Sequence, residues 1–128
     1  MSSPCFGGRR IALGIALAGA AAAPAWGHAY VDSSSPADAV SGPAPREVVI
    51  RFTENVELEF SAIVVKGPTG ETVSVGPVRQ PAPNTLAVDV KPLPAGSYTV
   101  QWRVLSVDTH ITEGALHFAV APGALRGP

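Results

Sequence analysis

Asp108 and His110 stand one residue apart in the stretch 102–120, WRVLSVDTHITEGALHFAV, between two runs of β-type residues. In an extended segment residues i and i+2 project to the same face, so a carboxylate and an imidazole would leave the backbone side by side. A divalent metal ion accepts both donors, the anionic oxygen and the neutral ring nitrogen. Two ligands hold such an ion weakly, however. A turn in which Asp108 accepts backbone N–H groups while His110 is merely exposed accounts for the same residues. Whether the chain supplies further donors decides between the two readings.

A second histidine donor depends on how the chain is processed. Residues 1–27 have the three-part pattern of a secretory signal: Arg9 and Arg10, the apolar run 11–23, then Pro24 followed by small residues. Ala25 and Gly27 satisfy the small-residue rule for a cut between Gly27 and His28. The apolar run is shorter than the ~20 residues needed to span a bilayer, and no later segment is long and apolar enough. The Arg9-Arg10 pair is compatible with a twin-arginine route as well as the general one. The expected organisation is therefore a signal peptide at 1–27, a domain at 28–121 and a tail at 122–128.

A histidine freed at a chain terminus offers its α-amine and its imidazole Nδ1 together, closing a chelate ring around one metal. With His110 the nitrogens number three, and Asp108 adds an oxygen. Such a set in a tetragonal arrangement suits Cu(II), which heads the affinity order for these ligands. Zinc accepts the same donors in a tetrahedral arrangement and is the natural competitor. The remaining histidine, His117, is opposite in phase to Leu116 and Phe118 and is expected to face solvent.

Composition narrows the classes further. The only cysteine is Cys5, so the exported domain has neither a disulfide nor a thiolate ligand, and a blue-copper electron-transfer site is excluded. Without Arg9 and Arg10, seven Lys and Arg face ten Asp and Glu, a net charge of −3 with His neutral. That balance gives no support to nucleic-acid binding.

The elements that must position these residues are short strands punctuated by Pro and Gly. Strands are expected at 28–32, 47–53 (EVVIRFT), 60–66 (FSAIVVK), more weakly at 71–75, then at 85–90 (TLAVDV), 97–106 and 115–120. The alternation of Val48, Ile50 and Phe52 marks a half-buried strand, and the aromatic content of 97–106 marks a central one. The three prolines of 76–84 suit an irregular crossing loop better than a strand. About seven strands in ~100 residues with no convincing helix predict an all-β fold: a small antiparallel Greek-key sandwich or barrel, immunoglobulin-like in architecture but without the inter-sheet cysteine pair.

Five stretches of the mature sequence belong together: His28-Ala29 followed by Ser35-Pro36-Ala37, Phe52-Thr53-Glu54-Asn55-Val56, Gly96-Ser97-Tyr98-Thr99-Val100 with Trp102-Arg103, and Ser106-Val107-Asp108-Thr109-His110 followed by Gly114 and Phe118. In these, and in their order, the chain resembles the CopC/PcoC family of periplasmic copper-resistance proteins. The resemblance implies a Greek-key β-barrel or sandwich and Cu(II) ligands at His28, Asp108 and His110. Glu54 matches an acidic position near that site and is expected to hydrogen-bond a ligand rather than the ion. Some relatives carry a second, Cu(I) site built from methionines and a histidine in a mid-chain loop. Here Met1 is the only methionine and 67–83 holds neither Met nor His, so a Cu(II)-only member is expected.

The resulting expectation is an exported, periplasmic, monomeric carrier of one Cu(II), serving resistance, buffering or transfer to an inner-membrane transporter of the CopD type. It has no catalytic residue. Two readings from other classes compete with it. A terminal histidine with a second histidine is also the copper-holding pattern of polysaccharide monooxygenases, although the chain is short, has few exposed aromatics, and carries the anionic Asp108. A metal-free immunoglobulin-like interaction module is the other.

Overall fold

Val48, Ile50 and Phe52 turn inward from strand β3 (Glu47–Phe52) and are fully buried, as their alternation predicts. Leu86, Val88 and Val90 of β6 (Thr85–Val90) face them from the neighbouring strand. The computed structural model describes residues 29–123; the expected signal segment, His28 and residues 124–128 lie outside them.

Around β3 and β6 is built a sheet of order β1-β3-β6-β5, with β1 at Val31–Ser35 and β5 at Ser74–Ala82. The second sheet has the order β2-β8-β7-β4, with β2 at Val40–Gly42, β4 at Ala62–Lys66, β7 at Gly96–Leu105 and β8 at Ile111–Val120. The described chain is an all-β two-sheet sandwich. Its one helical turn is a 3-10 turn at Leu58–Phe60.

The two sheets meet through side chains from both inner faces. Tyr98, Val100, Trp102 and Val104 of β7 are buried in alternation, and Phe118 and Val120 join them from β8. Phe52 meets Trp102 edge-on across the sandwich, their ring centroids 5.4 Å apart, while Tyr98 and Phe118 stack within one sheet at 5.4 Å. Each such buried side chain contributes roughly 1.5–3 kcal/mol of transfer free energy. In the absence of a disulfide this packing carries the fold.

Apart from β8, which starts at Ile111 rather than at the expected 115, three strand assignments depart from the sequence reading. The first strand spans Val31–Ser35, shifted by three residues from the expected 28–32. The segment 76–82, expected to be a loop, continues β5. Pro77 and Pro81 are tolerated because β5 is an edge strand, where a missing N–H costs no ladder bond, and its register shifts on both sides of Arg79. Arg79 ties this edge down by reaching Asp89 (2.9 Å) and Glu47 (2.6 Å) on the two strands beyond. The third departure is β2, a three-residue strand not anticipated, which runs parallel to the end of β8 in an otherwise antiparallel fold.

Candidate metal centre

The hairpin between β7 and β8 makes the corner. Its two strands pair without interruption from Gly96 with Val120 to Leu105 with Ile111, so the five residues between them must reverse the chain in a small space. Ser106 N–H donates to the His110 carbonyl (2.9 Å) and Thr109 N–H to the Ser106 carbonyl (2.8 Å). Ser106 is buried, and its Oγ accepts the His110 N–H at 3.3 Å. Thr109 takes a positive φ of 69°, and its hydroxyl donates to the Asp108 carbonyl.

Asp108 and His110 are therefore presented by a tight turn rather than an extended segment. The alternation on which their sequence reading rests does not apply within it, because the left-handed residue between them rotates one half of the turn against the other. Both residues are exposed.

The corner is fastened to the first sheet. Val107 N–H donates to the Asn55 carbonyl (3.1 Å) and Glu57 N–H to the Leu105 carbonyl (2.8 Å), on either side of a bridge between Val56 and Ser106. Residues 53–57 are in turn held by the tip of the β5–β6 hairpin. Val56 N–H donates to the Pro83 carbonyl (3.0 Å), and the Asn84 side chain donates to the Phe52 carbonyl (3.0 Å). Glu54 is exposed and sits between two residues whose backbones are anchored, at the same end of the sandwich as Asp108 and His110.

The chain leading back to His28 arrives at this end too. Tyr30 N–H donates to Thr53 Oγ1 (3.0 Å) and Thr53 N–H returns a bond to the Tyr30 carbonyl (2.8 Å). Ala29 is completely buried, and its carbonyl accepts the Thr112 hydroxyl across 2.6 Å. Thr112 lies two residues beyond His110. Ala29 is thus clamped between the end of β3 and the start of β8.

His28 itself lies outside the described residues. Among those that are described, no three His, Cys, Asp or Glu side chains come together so as to hold a metal. Asp108 and His110 remain a pair, and Glu54 is near them in the fold without completing a cluster. An anionic oxygen and an imidazole on one exposed turn are a fitting half-set for a borderline divalent ion. His117 lies elsewhere: it is exposed, its Nδ1 is 3.4 Å from Thr99 Oγ1, and its backbone N–H donates to Asp38.

The clamping residues Thr53 and Thr112 were not singled out from the sequence. For Thr112 a signal existed, since it shares the inward phase of Leu116 and Phe118, and a threonine on a core face needs a partner for its hydroxyl. No such signal marks Thr53.

The family profile described as "CopC domain" matches residues 31–121. The chain belongs to the CopC family. Its sequence is 34% identical over 118 residues to Protein YobA of Escherichia coli strain K12, covering 87% of this chain and 93% of that protein. Among solved structures, CopC from Methylosinus trichosporium OB3b superimposes with a TM-score of 0.70 at 36% identity, covering 75% of this chain and 96% of that one. PcoC, described as a methionine-rich copper resistance protein from Escherichia coli, gives a TM-score of 0.67 at 30% identity, covering 73% and 98%. This CopC-family chain thus has the family's fold and belongs among copper-resistance proteins. Among the described residues of this CopC-family chain, no helix is long and apolar enough to cross a membrane.

Proposed function

We propose that the mature chain begins at His28 and carries a single Cu(II). In this reading the α-amine and imidazole of His28, the Asp108 carboxylate and the His110 imidazole bind the ion, and Glu54 accepts a hydrogen bond from one of the nitrogen donors. The domain then buffers Cu(II) in the periplasm or passes it to an inner-membrane transporter of the CopD type.

The observation that carries this reading is the clamp on Ala29. Consecutive Cα atoms are ~3.8 Å apart, so the residue before Ala29 starts within one step of a point fixed against Thr112. Thr112 is two residues from His110, so a terminal donor pair one residue before Ala29 is tethered close to the corner. The preference for Cu(II) is supported by the ligand inventory. With Met1 as its only methionine, this chain lacks the thioether donors that select Cu(I), in contrast to the methionine-rich PcoC.

The test is a Cu(II) titration of the chain starting at His28, in competition with a chelator of known affinity and with the spin-resonance spectrum recorded. One equivalent should bind with nitrogen-rich tetragonal parameters. His110→Ala should weaken binding roughly 100-fold, equivalent to about 2.8 kcal/mol. Unchanged affinity in that variant would show the ligand set to be wrong.

A further inference from the structure

Asp108 and His110 are bracketed in sequence by two exposed apolar residues, Val107 and Ile111, which are 48% and 53% accessible. Ile111 pairs with Leu105, whose backbone is bonded to Glu57 and to the Ser61 hydroxyl. The 3-10 turn carried by those bonds presents Leu58 and Phe60, the latter 62% accessible. On its other side Val107 lines a groove of about 410 Å³ with Val56, Pro81, Ala82 and Pro83, floored by the Gln80 amide that donates to the Val56 and Pro83 carbonyls. Apolar side chains rarely gather in this way on a surface that only meets water.

The loops at this end carry charge of one sign, and the nearest cations, Arg51 and Arg103 on the strands, are paired with Asp32 and Glu113. Loops 53–60 and 106–111 contain Glu54, Glu57, Glu59 and Asp108 and no Lys or Arg. None of the four carboxylates enters an ion pair among the described residues. At the opposite end, Arg46, Lys66 and Lys91 lie at or beside the ends of β3, β4 and β6. An acidic rim around exposed apolar groups disfavours two occupants. A second copy of the chain meeting it face to face would set four carboxylates against four, and an anionic lipid surface would repel it.

We propose that this end of the sandwich is a docking face for another protein, one that presents apolar side chains flanked by Lys or Arg. One apolar side chain enters the Val107 groove, others cover Phe60 and Ile111, and the cationic groups meet Glu54, Glu57 and Glu59. The docked protein then covers the Asp108–His110 corner. That copper is handed over there rests on the function proposed above; the docking itself rests on the surface alone.

The experiment uses the isotopically labelled chain starting at His28, free of metal, titrated with a synthetic amphipathic peptide of Leu and Lys. A peptide of Leu and Glu and vesicles of phosphatidylglycerol serve as controls. Amide shifts should be confined to 53–60, 80–83 and 105–111. Phe60→Ser/Ile111→Ser should weaken binding at least tenfold, and Glu57→Lys/Glu59→Lys should do the same while flattening its salt dependence. Shifts spread over other faces, equal binding of the Leu/Glu peptide or the vesicles, dimerisation through this end, or wild-type binding by the variants would each overturn the proposal. Cu(II) affinity is measured on the same samples and should be within about twofold of wild type in Phe60→Ser/Ile111→Ser. Failure of copper binding would instead refute the copper reading and leave the docking result to stand by itself.

Discussion

Thr112→Val removes the hydroxyl that holds Ala29 and changes little else, since valine has nearly the shape of threonine. The lost bond is the 2.6 Å contact to a carbonyl in a fully buried residue. A typical hydrogen bond contributes 0.5–1.5 kcal/mol net, and leaving a buried acceptor without its donor costs about 1–3 kcal/mol. Tyr30 stays fixed through its two bonds with Thr53, so the slack is confined to Ala29 and the residue before it. Copper would have to order Ala29, which the native clamp orders in advance, at ~1–2 kcal/mol of backbone entropy. Cu(II) affinity should fall by up to that amount, or roughly 5–30-fold. The assay is chelator competition on the chain starting at His28, beside thermal melts with and without copper. Copper stabilises only the folded state, so its effect on Tm should shrink in parallel with affinity. A variant that is less stable yet binds Cu(II) as tightly as wild type would refute the reasoning, because the clamp would then serve the fold and not the site.

Three further perturbations test the sandwich and the proposed site. Tyr98 donates its phenolic O–H to the Pro94 carbonyl at 2.5 Å, and burial, with a smaller contribution from the Glu71 charge, holds its pKa above the ordinary value of 10.0. Its stabilising contribution is complete below about pH 10, where the unfolded phenol is still protonated, and is lost as pH rises through the higher folded value. Tyr98→Phe should therefore lower Tm at pH 7 by roughly 4–8 °C for a loss of about 1 kcal/mol, with the gap to wild type closing above about pH 10; a gap independent of pH would contradict this. Gly114→Ala would set a Cβ 2.8 Å from Cζ2 of Trp102 and should cost about 1–3 kcal/mol, read from denaturant melts. With residues 1–27 removed, Trp102 is the only tryptophan, and it pairs with Gly114 two residues along β8 from Thr112. Its fluorescence should be quenched by Cu(II) with an end point at one equivalent, and quenching without saturation would point to adventitious binding.

Alternation carried most of the fold. It placed β3, β6 and β7 nearly residue for residue because each has one buried face. It failed at β5, where Pro77 and Pro81 argue locally against a strand and only the position of that strand at a sheet edge makes them harmless. It could not find β2 either, since three residues show no period and Val40–Gly42 is fixed by its partner β8. The corner was legible as chemistry but not as geometry. Residue types singled out Asp108 and His110, whereas the positive φ of Thr109, the buried Ser106 and the bonds to Asn55 and Glu57 depend on loops that are distant in sequence.

The clamp on Ala29 also bears on when the proposed site comes into being. In the uncut chain the nitrogen of His28 is part of a peptide bond, with no lone pair to offer near neutral pH, and the chelate formed by amine and imidazole does not exist. Cleavage at Gly27 would then add a donor without a change in the corner, whose turn is held by the bonds of Val107 to Asn55 and of Glu57 to Leu105. Acetylation of the terminus of the mature chain isolates this step, because it keeps every side chain and only converts the His28 amine to an amide, whereas an added residue would bring a new amine to chelate copper together with the His28 imidazole. The stability of the acetylated chain should match that of the free one, since the bonds of Ala29 and Tyr30 are untouched. Its Cu(II) affinity should be lower by at least 100-fold, about 2.8 kcal/mol, with a spin-resonance spectrum showing fewer coupled nitrogens. Equal affinity in the two forms would mean that the imidazoles and Asp108 suffice and that processing has no part in building the site.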